Sequence, residues 1–151
     1  MTTSLLSVWL HLLGVVVWIG GLMYQAHVLM PTARRNRDAT LTDMLRRGRR
    51  VTWVAIALVM ATGFYNVTLL GPLDRALQSG AALLLALKFM LVLAAVAVAG
   101  QRDFAQVPRL ARMVAAGNDP NPALSAIAWM DRVVLLLAVV IVYLGLAVSR
   151  A

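Results

Sequence analysis

Four long apolar runs constrain this chain more than any other feature, because each has about the length that crosses a lipid bilayer. A helix needs roughly 20 apolar residues to span about 30 Å of hydrocarbon. Backbone groups in lipid must pair within their own segment, so such spans are helices. We therefore predict a single membrane domain over residues 1–151, an all-α, integral membrane, antiparallel four-helix bundle. The runs are about Leu5 to Met30, Val51 to Leu70, Ala81 to Gly100 and Val133 to Val148, with the last helix expected over 131–149.

The arginines predict the orientation of these spans. Eleven of the 14 basic residues lie in the two segments that join run one to run two and run three to run four. Arg75, balanced by Asp74, lies between runs two and three, and Arg150 follows run four. Because cytoplasmic loops carry the excess of arginine and lysine, both termini should face outside (N-out/C-out). We expect a multi-pass protein of the bacterial inner membrane, with segments 31–50 and 101–130 in the cytoplasm.

The same pattern accounts for the formal charge of +8, so the partner we expect is the lipid bilayer and not nucleic acid. The chain has no cysteine, which excludes thiolate metal sites. It has no glutamate, and we expect its six aspartates to lie outside the membrane. The sequence therefore predicts no carboxylate proton relay and no carboxylate-bridged metal pair.

Polar side chains within the apolar runs mark candidate sites, since burying them in lipid is costly. Counting about 1.5 Å per residue from the outer ends of the runs places one polar group of each helix at a similar depth, roughly 6–10 Å in. This coincidence predicts one pocket in the outer half of the bundle. Its expected members are His11, Asn66, Lys88 and Tyr143.

Two of these residues allow more than one interpretation. Lys88, the only lysine, either extends its ammonium to the outer interface or faces the bundle interior and holds an anionic group such as a carboxylate. His11 is either a neutral histidine that bonds between helices, or a ligand to a metal or haem iron. Gly14 and Trp18 share its helix face, where Gly14 would leave space for a flat group and Trp18 would stack on it.

His27 is a separate candidate, because it lies about 24 Å from His11 along the helix axis. Met23 and Met30 precede and follow it at helical spacing, so the three predict a shared face. A histidine between two thioethers is a soft donor set that suits Cu(I). The alternative is an interfacial histidine beside an arginine-rich segment.

The order of residues in the first helix resembles a known family. Trp9-Leu10-His11-Leu12-Leu13 followed by Trp18-Ile19-Gly20-Gly21 is similar to the opening helix of the copper resistance protein D (CopD) family. Thr62-Gly63, Leu87-Lys88-Phe89, Gln101-Arg102-Asp103-Phe104 and Val107-Pro108-Arg109-Leu110 extend the likeness over most of the chain. The resemblance implies copper handling, with a periplasmic copper-binding protein as the partner.

HemJ-type protoporphyrinogen oxidases are a related family, with which His11, Trp18, Gly21, Tyr24 and Lys88 agree. That resemblance implies haem b. The sequence leaves three functions open: copper binding and transport, a haem b redox protein, or a non-catalytic subunit of a larger membrane complex. It favours no catalytic residue; if the protein is an enzyme, it would be a haem-dependent membrane oxidoreductase. The many small residues are compatible with a homodimer.

Overall fold

The computed structural model describes residues 2–32, 40–69 and 81–148, and no strand occurs among them. Two turns of the wider π-helix follow the first and third α-helices, and we call them the first and second π-turns. The elements are α1 (Thr2–Tyr24), the first π-turn (Gln25–Leu29), α2 (Thr40–Thr68), α3 (Ala81–Gln101), the second π-turn (Arg102–Gln106), α4 (Val107–Ala115) and α5 (Asn121–Val148). The prediction of an all-α protein is confirmed.

Four helical stretches are long and apolar enough to cross a membrane. They extend over Thr3–Thr32, Thr42–Thr68, Ala82–Ala115 and Asn121–Ala147, each longer than the apolar run from which we predicted it. Most of the segment 101–130, expected as a cytoplasmic connection, is therefore helical. The predicted connection around Asp74 and Arg75, the arginines at 34, 35 and 37, and Arg150 lie outside the described residues.

The helices pair in an antiparallel way, as two contacts along each pair show. His11 of α1 bonds Thr62 of α2, whereas Gln25 further along the chain lies beside the earlier Gly48. Lys88 of α3 likewise lies beside Gly145 of α5, and Arg102 pairs with the earlier Asp131. α1 packs mainly on α2, and α3 mainly on α5.

α1 and α2 are in close contact at Gly14, which corrects the expectation that it leaves space for a flat ligand. A Cβ atom at Gly14 would lie 2.8 Å from Val59 Cγ2 and 3.3 Å from the Ala55 carbonyl oxygen. The space is therefore occupied by α2. A small residue at such a contact lets two helix backbones approach.

Large apolar side chains cover the outside of the bundle. Leu5, Val54, Leu83 and Leu136 are each about two-thirds exposed or more, so every long helix presents apolar surface outward. A soluble monomer rarely exposes contiguous apolar surface on this scale, whereas lipid requires it. The chain is a multi-pass membrane protein on these grounds.

α4 closes one end of the bundle. Its apolar side, Val107 and Leu110, is buried against α2 and α5, and Arg109 and Arg112 are exposed. The helix ends at Gly117, whose φ of 68° is a left-handed conformation that glycine adopts without strain. Two bonds, Gly117 N–H to the Val114 carbonyl and Asn118 N–H to the Met113 carbonyl, complete the terminus.

Candidate functional site

His11 joins α1 to α2 through one ring nitrogen. Its Nδ1 lies 2.9 Å from Thr62 Oγ1 and 3.1 Å from the Val59 carbonyl oxygen. The ring also packs on Gly63, where a Cβ atom would lie 3.3 Å from His11 Cε1. The site thus depends on a glycine and a threonine that are adjacent in α2.

The hydrogen-bond pattern assigns the proton of this histidine. Thr62 Oγ1 donates its own proton to the Leu58 carbonyl, at 2.6 Å, so it accepts from the imidazole. The Val59 carbonyl can only accept. Both partners therefore require a proton on Nδ1, which leaves Nε2 of the neutral ring with a lone pair. A ligating histidine is commonly oriented by such a bond from its other nitrogen.

A cavity of about 80 Å³ lies between all four long helices beside this ring. Its walls are almost wholly apolar, and the exceptions are His11 and Lys88. Trp18 and Met60 contribute an indole and a thioether. The structure therefore brings together three of the residues singled out from sequence: His11, Trp18 and Lys88.

Lys88 reaches across the bundle toward α5. A Cβ atom at Gly145 would lie 3.4 Å from Lys88 Nζ, so the glycine leaves room for the ammonium. Helical side chains point toward the N-terminus of their own helix, and Gly145 lies one turn beyond Ile141, a residue of the cavity wall. The ammonium is accordingly near the end of the cavity at which α5 terminates.

Asn66 and Tyr143 do not line the cavity, which corrects the prediction that they share one pocket with His11 and Lys88. Tyr143 is 70% exposed, because it follows the cavity residue Val142 and so points about 100° away from it. Asn66 lies one turn beyond Thr62, and its Oδ1 is buried without a hydrogen-bond partner among the described residues. Depth along the axis was similar for all four, but direction around the axis was not.

The structure separates Met30 from Met23 and His27, which the sequence predicts on one shared face for a second metal site. Met23 is 52% exposed, whereas Met30 is 2% exposed and packs in an apolar cluster with Leu45 and Leu110. His27 is exposed, and its Nδ1 bonds the Met23 carbonyl oxygen at 3.1 Å. The first π-turn contains His27, so the regular spacing used to predict the shared face does not apply.

A second polar group, absent from the prediction, lies in the other half of the bundle. Arg102 is 2% exposed, Asp103 1% and Asp131 0%. Arg102 Nη1 pairs with Asp103 Oδ1 at 2.6 Å, and its Nε with Asp131 Oδ1 at 2.7 Å. We call these three residues, with Gln25 and Trp53, the Arg102 cluster.

Gln25 and Trp53 complete the cluster from the first π-turn and α2. Arg102 Nη2 donates to Gln25 Oε1, and Trp53 Nε1 donates to Asp103 Oδ2 at 2.9 Å. Two π-turns supply its centre, since Gln25 begins the first and Arg102 and Asp103 begin the second. Turns of this kind are frequent at functional sites.

We expected all aspartates to lie outside the membrane, whereas the structure places Asp103 and Asp131 inside the bundle and within candidate spans. Asp103 falls in the segment 101–130 that we expect in the cytoplasm, and Asp131 is the first residue of the fourth predicted helix, 131–149. A signal was available: Asp131 follows the apolar stretch Ala126-Ile127-Ala128-Trp129-Met130 and precedes Val133-Val134-Leu135. Among the described residues there is no group of three or more histidine and acidic side chains placed to hold a metal ion.

One comparison with known proteins gives a match. The family model described as copper resistance protein D matches residues 42–148, which contain α2 to α5 and thus Met60, Lys88 and the charged part of the Arg102 cluster. His11 and Trp18 precede the matched range. Searches of curated proteins and of solved structures returned no match. Because the match covers well over half of the chain, the protein belongs to the copper resistance protein D family.

Proposed function

We propose that this protein binds Cu(I) within the membrane as the substrate that it moves or transfers. The binding atom would be Nε2 of His11, and the thioether of Met60, on the same cavity wall, would be a second ligand. The contacts of His11 Nδ1 with Thr62 Oγ1 and the Val59 carbonyl are the observation that carries this proposal. These contacts occupy the protonated Nδ1, and the lone pair on Nε2 is left for a metal ion.

The donor chemistry supports copper over harder metals. An imidazole and a thioether suit Cu(I), whereas magnesium, calcium and manganese prefer carboxylate and water oxygens. The cavity wall contains no carboxylate. The family to which the chain belongs is named for copper resistance, which agrees with that preference.

The volume also supports a small ligand. A cavity of about 80 Å³ can hold an ion with a few water molecules, because one water molecule needs about 10–15 Å³ of cavity volume. A flat macrocycle would require the four helices to separate. Gly14 offers no such space, because α2 fills it.

The test is a Cu(I) titration of the full chain in lipid nanodiscs, in competition with the chromophoric chelator bicinchoninate. His11→Ala should weaken binding by more than about 100-fold, because even the loss of an outer-shell partner costs roughly 10–100-fold. Met60→Leu should weaken it by about tenfold or more. Unchanged affinity in His11→Ala would overturn the proposal.

Two matched controls are available in the same chain. His27→Ala removes an exposed histidine that bonds only a neighbouring carbonyl, and Met90→Leu removes a methionine that is 66% exposed. Both should retain wild-type affinity. If His27→Ala weakens binding as much as His11→Ala, the copper site is elsewhere in the chain.

Lys88 favours a second candidate, the binding of haem b. Its ammonium is a like charge for Cu(I) but a partner for a carboxylate such as a haem propionate. In that case His11 Nε2 would hold the haem iron, and Trp18 would contribute an apolar contact to the haem. Haem b would supply one-electron redox chemistry, which is how a HemJ-like activity would arise.

The two candidates give opposite results for one variant. Lys88→Met should strengthen Cu(I) binding, because it removes a like charge from a site of low dielectric. It should weaken haem binding, because a propionate loses its cation. Absorption spectra of the oxidised and reduced protein from haem-replete cells add an independent readout. A Soret band that is lost in His11→Ala would favour haem and demote copper.

A further inference from the structure

The Arg102 cluster lies next to the cavity along the bundle axis, on the side where α1 ends and α5 begins. Trp18 and Ala138 line the cavity, and Gln25 and Asp131 are seven residues away from them, on α1 toward its end and on α5 toward its start. Seven residues correspond to about 10 Å along a helix and nearly two full turns. The two polar sites therefore occupy the same inner face of the bundle at two levels.

The charges of the cluster do not balance. Arg102 contributes one positive charge, while Asp103 and Asp131 each contribute a negative charge when ionised. All three side chains are buried. An excess charge in a low-dielectric interior is costly and is normally neutralised, so the site needs a further positive charge.

The bonding pattern identifies the carboxylate that lacks support. Both oxygens of Asp103 are engaged, one by Arg102 and the other by the Trp53 indole. Asp131 has only its ion pair to Arg102 through Oδ1. Both of its oxygens are buried and have no hydrogen-bond partner among the described residues, so Oδ1 contacts Arg102 Nε, at 2.7 Å, as an ion pair alone. A buried carboxylate whose oxygens accept no hydrogen bond is where a proton would be most stabilising, and Oδ2 is the oxygen that Arg102 does not contact.

We propose that Asp131 is a proton-binding site, at which Oδ2 takes up a proton while Arg102 stays bound to Asp103 and Gln25. Protonation makes the cluster neutral, and release of the proton leaves Arg102 shared between two carboxylates. The structure thus provides two charge states of one buried group, about 10 Å below the cavity. This inference does not depend on which ligand the cavity binds.

Among the described residues, the titratable groups in contact with Asp131 belong to the Arg102 cluster, and Arg49 of α2 lies over the Phe104 ring. Arg102 and Asp103 face it from the second π-turn. The first π-turn contributes the uncharged Gln25, and its His27 is exposed. Arg109 and Arg112 of α4, and Arg132 beside Asp131 on α5, are exposed as well. Uptake of a proton by a buried group at this level of the bundle is therefore assigned to the Arg102 cluster.

Infrared difference spectroscopy of the full chain in lipid tests the proposal. The chain has six aspartates and no glutamate, so few groups can give the carbonyl stretch of a protonated carboxylic acid. We expect such a band to appear on going from mildly alkaline to mildly acidic buffer. It should be lost in Asp131→Asn and retained in Asp119→Asn, an exposed aspartate in the α4–α5 turn.

A second variant keeps the test decisive if Asp131→Asn fails to fold. Replacing the four aspartates outside the cluster by asparagine leaves Asp103 and Asp131 as the only acidic side chains; the positions are 38, 43, 74 and 119. The band should keep its full intensity in that variant. Its absence from the wild-type protein, its loss in the fourfold variant, or its persistence in a folded Asp131→Asn protein would each overturn the proposal.

Discussion

At the scale of single residues, the position of one proton determines what His11 can do. The Thr62 hydroxyl donates its proton to the Leu58 carbonyl of its own helix and accepts a hydrogen bond from the imidazole. It thereby orients the ring and requires the proton on Nδ1. Residues of α2, Val59 and Thr62, therefore determine that Nε2 of this α1 histidine has the lone pair. Any function given to His11 therefore depends on residues that are about fifty positions away in the sequence.

Replacing Thr62 tests this dependence. In Thr62→Val the ring keeps only the Val59 carbonyl as its partner, so we expect Cu(I) affinity to fall by about tenfold or more. Thr68→Val is the control, since Thr68 bonds only the Tyr65 carbonyl of its own helix. The bicinchoninate competition measures both variants. Equal affinities would contradict the orienting role of Thr62.

Met60 is a cavity residue that the sequence did not predict, because the sequence does not show in which direction a methionine points. Histidine and lysine stand out in an apolar helix because they are costly there, and the predicted His11 and Lys88 do share a cavity. A methionine is common in such a helix, so nothing distinguished Met60 from Met90. The direction in which each points decides the matter, since Met60 lines the cavity and Met90 is exposed.

At the scale of helices, close packing at Gly14 sets the distance between α1 and α2. A leucine there would meet Val59 and the Ala55 carbonyl. We expect Gly14→Leu to lower the free energy of unfolding by about 1–3 kcal/mol or more, the usual cost of overpacking. Thermal unfolding in detergent, followed by circular dichroism, measures the change.

Gly20→Leu is the matched control on the same helix, because no atom lies within 4 Å of a Cβ atom placed at Gly20. It should leave the unfolding temperature nearly unchanged. If both variants behaved alike, the close contact of α1 with α2 at Gly14 would not be a feature of the folded protein.

The π-turns explain why the sequence predicted the helices well and the Arg102 cluster poorly. Apolar runs determine the number and type of the helices, and four were predicted and found. The assignment of faces assumed a regular α-helical spacing along each run. That spacing changes at Gln25–Leu29 and Arg102–Gln106, where His27 is exposed and Arg102 and Asp103 are buried.

At the scale of the whole molecule, an apolar layer separates two polar levels. The layer consists of small and branched side chains, among them Ala95, Ala99 and Val134, all nearly inaccessible. A continuous hydrogen-bonded path from His11 and Lys88 to the Arg102 cluster would require water molecules to enter this layer. The arrangement therefore isolates the cavity from the Arg102 cluster in the conformation described.

The orientation of the bundle remains a prediction from the arginines, and the absence of cysteine makes it simple to test. Single-cysteine variants Ser4→Cys and Asn118→Cys place reporters at opposite ends of the bundle. In intact spheroplasts, a membrane-impermeant maleimide should label the first variant and reach the second only after lysis. The reverse pattern would contradict the N-out/C-out orientation.

X-ray absorption spectroscopy of the copper-loaded protein shows whether His11 and Met60 together hold Cu(I) inside the bundle. We expect a first coordination shell that contains an imidazole nitrogen and a sulfur scatterer. In Met60→Leu the sulfur contribution should disappear while the imidazole pattern remains. A shell of oxygen and nitrogen alone in the wild-type protein, or a sulfur signal that survives in Met60→Leu, would contradict the proposed copper site.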